Sequence, residues 1–159
     1  MARYAAQDGI SIVRPTLAVD TNAYAALDII GGQLTLTDAM RISDGTGVLH
    51  SISITDDDNE KAAFDILLFH SSLAGTVTDN GAFAHNSADP AKFLGRVQVL
   101  ASDYVTVVTG SLAVANLRSI GLPVKASGSR NLYALIIATG TPTYTAATDL
   151  KIAFGFLCD

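Results

Sequence analysis

Val48-Leu49-His50-Ser51-Ile52-Ser53-Ile54 sets the period of the chain. Positions 48, 52 and 54 point one way and Ser51 and Ser53 the other, the two-residue alternation of a half-buried strand. On this reading His50 falls with the apolar set. Phe64–Phe69 is apolar on both sides apart from Asp65, and Leu132–Ile137 is apolar on both faces. Such strands are central in a sheet, or one face is covered by another subunit. Leu150, Ile152, Phe154 and Phe156 alternate with Lys151, Ala153, Gly155 and Leu157 to give a last strand. Shorter candidates are Ile10–Val13, Gln33–Thr37, Arg96–Leu100, Tyr104–Val108 and Leu112–Leu117.

Turn signals separate these runs at short intervals: Gly31-Gly32, Asp44-Gly45, Asp79-Asn80-Gly81, Ser127-Gly128 and Gly140-Thr141-Pro142. Many short strands spaced in this way predict an antiparallel β-sandwich or barrel. One short helix is predicted over residues 89–95. Asp89 suits the N-cap, Pro90 the first helical position and Gly95 the close.

The 159 residues suit one domain. Charged residues are 16% of the chain and hydrophobic ones 49%, against roughly 25% charged in an average globular protein. That composition excludes a disordered acidic protein and a coiled coil. A net charge of −5 argues against a general nucleic-acid binder. No apolar run approaches the roughly 20 residues of a membrane helix. Met1–Ile10 has one Arg and no apolar stretch of the signal-peptide kind, so synthesis in the cytoplasm is expected. Residues 1–15, ending at Arg14-Pro15, read as an N-terminal arm that orders on a partner; residues 16–159 read as the sandwich domain. Residues 1–80 hold eleven acids and four bases, and residues 81–159 four acids and six bases. One acidic end and one weakly basic end would suit head-to-tail docking.

Groups that could carry chemistry are few. Asp56-Asp57-Asp58-Asn59-Glu60 alternates oxygen donors as a Ca²⁺ loop does. The EF-hand order fails, however, because Lys61 and Leu67 stand where Gly and Glu are needed; a solvated turn is expected. His50, His70 and His85 show no metal-ligand spacing. If the strands holding His50 and His70 formed a hairpin across the Asp56–Glu60 turn, the two would be neighbours and mildly acid-sensitive. Asp65 is a lone acid in an apolar strand and needs donors or an Arg if buried. Asp103 and Asp149 each precede a strand, where a turn role suffices. No G-x-S-x-G elbow, S-x-x-K or phosphate loop is present. Cys158, the one cysteine, has no internal disulfide partner. No catalytic residue, cofactor site or metal site is assigned.

The order of segments resembles a family of small virion structural proteins of tailed bacteriophages. The stretch Val19-Asp20-Thr21-Asn22-Ala23-Tyr24-Ala25-Ala26-Leu27-Asp28-Ile29-Ile30-Gly31 looks like that family's opening. Gly47–Asp56, Phe64–Phe69, Ala101–Tyr104, Gly121-Leu122-Pro123, Leu132–Ala138, Gly140–Tyr144 and Thr148–Ile152 follow in order. The resemblance covers about residues 16–157. It implies a jelly-roll β-sandwich of about eight strands that decorates or cements the capsid exterior as a homodimer or homotrimer, clamping neighbouring major capsid subunits. It implies no catalytic residues and no cofactor.

Overall fold

Alternation and turn chemistry place most of the strands where they fall. The computed structural model describes residues 9–159. The strands are β1 (Ile10–Val13), β2 (Ile29–Leu36), β3 (Thr46–Asp56), β4 (Phe64–Phe69), β5 (Phe93–Val99), β6 (Tyr104–Val108), β7 (Leu112–Lys125), β8 (Leu132–Ala138) and β9 (Leu150–Cys158). Of the stretch read as an arm, residues 1–8 lie outside the described residues, and Ile10–Val13 is β1, paired with β9.

The pairings follow one rule. β1 pairs with β9, β2 with β8, β3 with β7 and β4 with β5, all antiparallel. The chain is therefore one long two-stranded ribbon, closed at the β4–β5 connection. Rolling the ribbon puts alternate pairs in opposite sheets. β9 then joins β3, and β8 joins β4. The result is a sandwich with sheet orders β1-β9-β3-β7-β6 and β2-β8-β4-β5. This is the jelly-roll wrap, with β6 added as a fifth strand beside β7. The all-β sandwich expected from the sequence is the fold observed.

Between the sheets, the inward residues of every strand form one core. Ile52, Ile54, Phe64, Ile66, Ile136, Ile152, Phe154 and Phe156 are fully buried or nearly so. The Phe154 and Phe156 rings stack at 6.5 Å. A large aliphatic or aromatic side chain buried this fully contributes roughly 1.5–3 kcal/mol.

A bulge corrects the parity read for β3. Leu49, not Val48, faces the core with Ile52 and Ile54, and His50 is exposed. Along β9 one step, Phe156 to Gly155, spans two steps on β3, Leu49 to Ser51. His50 is the extra residue, and an extra residue turns the alternation over. The Gly31-Gly32 signal is also a bulge, inside β2, rather than a turn. Both glycines have positive φ, and the β2–β8 register shifts between Ile30 and Leu34. The helix expected over residues 89–95 reduces to one 3-10 turn, Pro90–Lys92, because the chain extends at Phe93 into β5.

Asp89 does not cap that turn with its side chain. Its buried carboxylate accepts hydrogen bonds from the amides of Ala74 (2.8 Å), Gly75 (2.9 Å) and Asn86 (2.8 Å), with Lys92 Nζ at 3.1 Å. Asp79 ties the same connection to the sandwich by accepting from Tyr24 Oη and the Gly31 amide. Gln33 accepts from the Leu73 amide. The long β4–β5 connection is thereby laid on the outer face of the four-stranded sheet. There Leu73, Val77 and Phe83 pack against Ile29, Phe69 and Leu135. The second apolar face of β4 and β8 is covered by the chain's own loop.

The amide donors, above all that of Ala74, hold the Asp89 carboxyl well below its ordinary value of 3.8. A lowered carboxyl contributes stability above the ordinary value and loses it as pH falls through the folded one. The loop is therefore expected to keep its contacts from neutral pH down to about pH 4 and to open only in stronger acid. Hydrogen exchange at the Ala74, Gly75 and Asn86 amides checks this, since opening already at pH 6 would contradict it. In Asp89→Asn the same amides should exchange faster at neutral pH.

Candidate interaction surface

The Asp56–Glu60 run ends β3 and crosses to the other sheet. β3 and β4 therefore form no hairpin and lie in opposite sheets. This separates His50 from His70 in the way the strands run: His50 is exposed at the β3 bulge, and His70 closes β4 with its amide bonded to Lys92 O. His85 stands in the β4–β5 connection beside the Phe83 ring, 6.2 Å away between ring centres.

The acids of the run already have donors. Buried Asp56 accepts from the amides of Asp58 (3.1 Å) and Lys61 (2.7 Å). Asp58 accepts from the Thr145 amide and hydroxyl, Glu60 from the Thr143 amide, and Asp57 pairs with Lys151. Asp149 accepts from the Ala146 amide and Asp103 from the Leu100 amide, both turn roles. Carboxylates here tie the β3–β4 and β8–β9 loops together. Among the described residues, no group of three or more His, Cys, Asp or Glu side chains could hold a metal ion. Next to Asp56, burial pushes the Tyr104 and Tyr144 hydroxyls up from the ordinary tyrosine range.

Asp65 finds its arginine. Arg96 Nη2 lies 2.8 Å from Asp65 Oδ1, in ion-pair contact but off the hydrogen-bonding line. The Cys158 thiol donates to Ala39 O at 3.4 Å, and burial raises its pKa; both features make it a poor nucleophile. No helix among the described residues is long and apolar enough to cross a membrane.

Two surface features remain. One is a cleft of about 260 Å³ on the loop-covered side, lined by Leu67, Phe69, Phe83, His85, Asp89, Pro90 and Phe93. Phe69 and Phe93 meet edge to face at 5.9 Å. The other is the outer face of the five-stranded sheet, which no loop described here covers. Its middle is small or polar: Ser53 of β3 sits between Asn116 of β7 and Ala153 of β9, and Thr55 beside Lys151. Its two margins are aliphatic. Ile10 and Ile12 of β1 are 62% and 59% exposed, with Leu157 as the cross-strand neighbour of Ile10. Val105 and Val107 of β6 are 66% and 58% exposed. Alternation in β1 and β6 was visible in the sequence. What marks these residues is their place on outer strands, which sequence spacing does not show.

No protein-family model matches the chain, and no curated protein does. A search of solved structures returns a chain from the structure of a marine algae virus of the order Picornavirales. The sequence identity is 10% and the TM-score 0.28, over 94% of this chain and 62% of that one. A TM-score of 0.28 is too low for this likeness to bear on fold or role.

Proposed function

We propose that this chain is a non-enzymatic virion structural protein of a tailed bacteriophage. It decorates or cements the capsid exterior by clamping neighbouring major capsid subunits. It acts as a homodimer or homotrimer, is made in the host cytoplasm, and engages neither nucleic acid nor membrane. The ordered resemblance over residues 16–157 supports the reading. The observation that carries it is the uncovered outer face of the five-stranded sheet, with exposed aliphatic residues at both margins. Exposed apolar area of this kind marks a protein contact. Cryo-electron microscopy of the source particle tests it: density for this jelly roll on the shell is expected, and an exterior without it sinks the proposal. In Val105→Lys/Val107→Lys, binding to capsids stripped of the protein should weaken by about tenfold or more, with the fold intact. Unchanged binding would place the contact elsewhere.

The aromatic cleft beside Phe93 favours one other reading, a tail- or baseplate-associated sandwich that binds host glycan. Density on the tail, together with glycan binding that Phe93→Ala abolishes, would support it over the capsid role.

A further inference from the structure

The outer face of the five-stranded sheet differs in charge from the rest of the molecule. The chain carries a net charge of −5. Yet among the described residues, the strand positions that face outward here include Arg118, Lys125 and Lys151 and no acid. Arg14 follows directly after β1. Asp57 and Asp159 stand just past the ends of β3 and β9. Asp57 pairs with Lys151, and Asp159 accepts from the Thr46 hydroxyl. Arg14 and Arg118 are exposed, and among the described residues no carboxylate forms an ion pair with either. Cations gathered on one face of an acidic protein attract an anionic partner to that face.

A cleft of about 380 Å³ opens beside Arg14 on this face. Local sequence makes it. Pro15 has no amide to give, so the β1–β9 ladder stops at Val13. Leu17 is then buried, which leaves Arg14 at the lip. Beneath it β9 offers Lys151 and Ala153, and β3 sets Thr55 and Ser53 as their cross-strand neighbours. A carboxylate seated there meets the Arg14 guanidinium, the Lys151 ammonium and two hydroxyls, all of them donors. Arginine matches a carboxylate with two parallel N–H bonds. Lys151 already holds one acid, Asp57, and an exposed pair of that kind is weak enough to exchange. Much of the cleft wall is apolar, Pro15 included, which suits a polypeptide side chain better than a free inorganic anion. No outward position on this face is aromatic, so it has no platform for stacked bases, and nucleic acid is disfavoured.

We propose that this cleft receives an acidic side chain from an extended, carboxylate-rich segment of a partner protein, held by Arg14 and Lys151 over the Ser53 and Thr55 hydroxyls. This rests on the reading above and gives the chemistry of the capsid-side partner. The isolated full chain, isotope-labelled and followed by amide NMR, tests it without capsids. Hexaglutamate at about 20 mM salt should move the signals of Arg14, Ser53, Lys151 and Ala153, and salt raised to about 0.5 M should abolish the shifts. Hexalysine should move none of them. Arg14→Glu should weaken hexaglutamate binding by about tenfold or more with the fold unchanged. Lys125→Glu, at the far end of β7, should change it by less than about threefold. No shifts, shifts centred elsewhere, an equal response to hexalysine or indifference to Arg14→Glu overturns the proposal. So does tighter binding of oligothymidylate or of phosphatidylglycerol vesicles, or self-association of the chain through Arg14. Stripped capsids separate this inference from the role it rests on. Wild-type binding that falls about tenfold in Arg14→Glu supports it; wild-type binding indifferent to Arg14→Glu overturns it while the capsid role stands. Hexaglutamate binding by a chain that ignores capsids upholds the cleft and sinks the role.

Discussion

Phe154→Ala should lower the free energy of unfolding by about 3–5 kcal/mol. Phe154 has no exposed surface and stacks on Phe156. It lies in β9, opposite Val13 of β1 and Ile52 of β3. β9 joins β1 to the rest of its sheet, and the ring lies in the core between the two sheets. The loss is therefore the transfer energy of the ring plus the void it leaves. Urea denaturation measures it. A change under about 1 kcal/mol would mean that the ring does not sit in the core.

Leu135→Ala should cost about 2–5 kcal/mol, but in a different place. Leu135 has no exposed surface, yet it belongs to the smaller apolar cluster under the β4–β5 connection rather than to the core between the sheets. Its neighbour in β8, Ile136, faces the main core. The pair separates two effects. Ile136→Ala should destabilise by a similar amount with the loop still in place. Leu135→Ala should also speed hydrogen exchange at Leu73, Val77 and Phe83. Equal exchange in the two variants would show that the loop does not depend on this contact.

Those paired positions also mark what the sequence could reveal. Leu132 to Ile137 reads as apolar on both faces, and that is correct. Which surface covers the outer face is set more than 50 residues earlier by Leu73, Val77 and Phe83, a long-range fact absent from local pattern. β1, β4 and β6 fall at the limits read from alternation because turns bound them. β2 begins earlier than read, because Gly31-Gly32 has the chemistry of a turn and serves as a bulge. Alternation alone puts His50 on the core face, whereas it is exposed, because a bulge depends on what the partner strands do. β7 runs on to Lys125 through a register shift opposite that bulge, with Ser119 and Gly121 at positive φ. In the candidate surface, Ile10, Ile12, Val105 and Val107 were visible as strand residues. Their exposure follows from strand order alone, since β1 and β6 end their sheet.

The rolled ribbon sets a timetable for synthesis. Ile10 waits for Leu157, its ladder partner, and chains grow at roughly 5–20 residues per second. β1 is thus among the first strands made, and its intrachain partner arrives last, about 7–30 seconds later at those rates. Pairing across such a span is also slow to form once the chain is complete. Once β7 has been made it can pair with β3, but the sheet margin beyond them cannot close until β9 follows. Loss of the second half of β9 would thus unfasten β1, more than 130 residues away in the sequence.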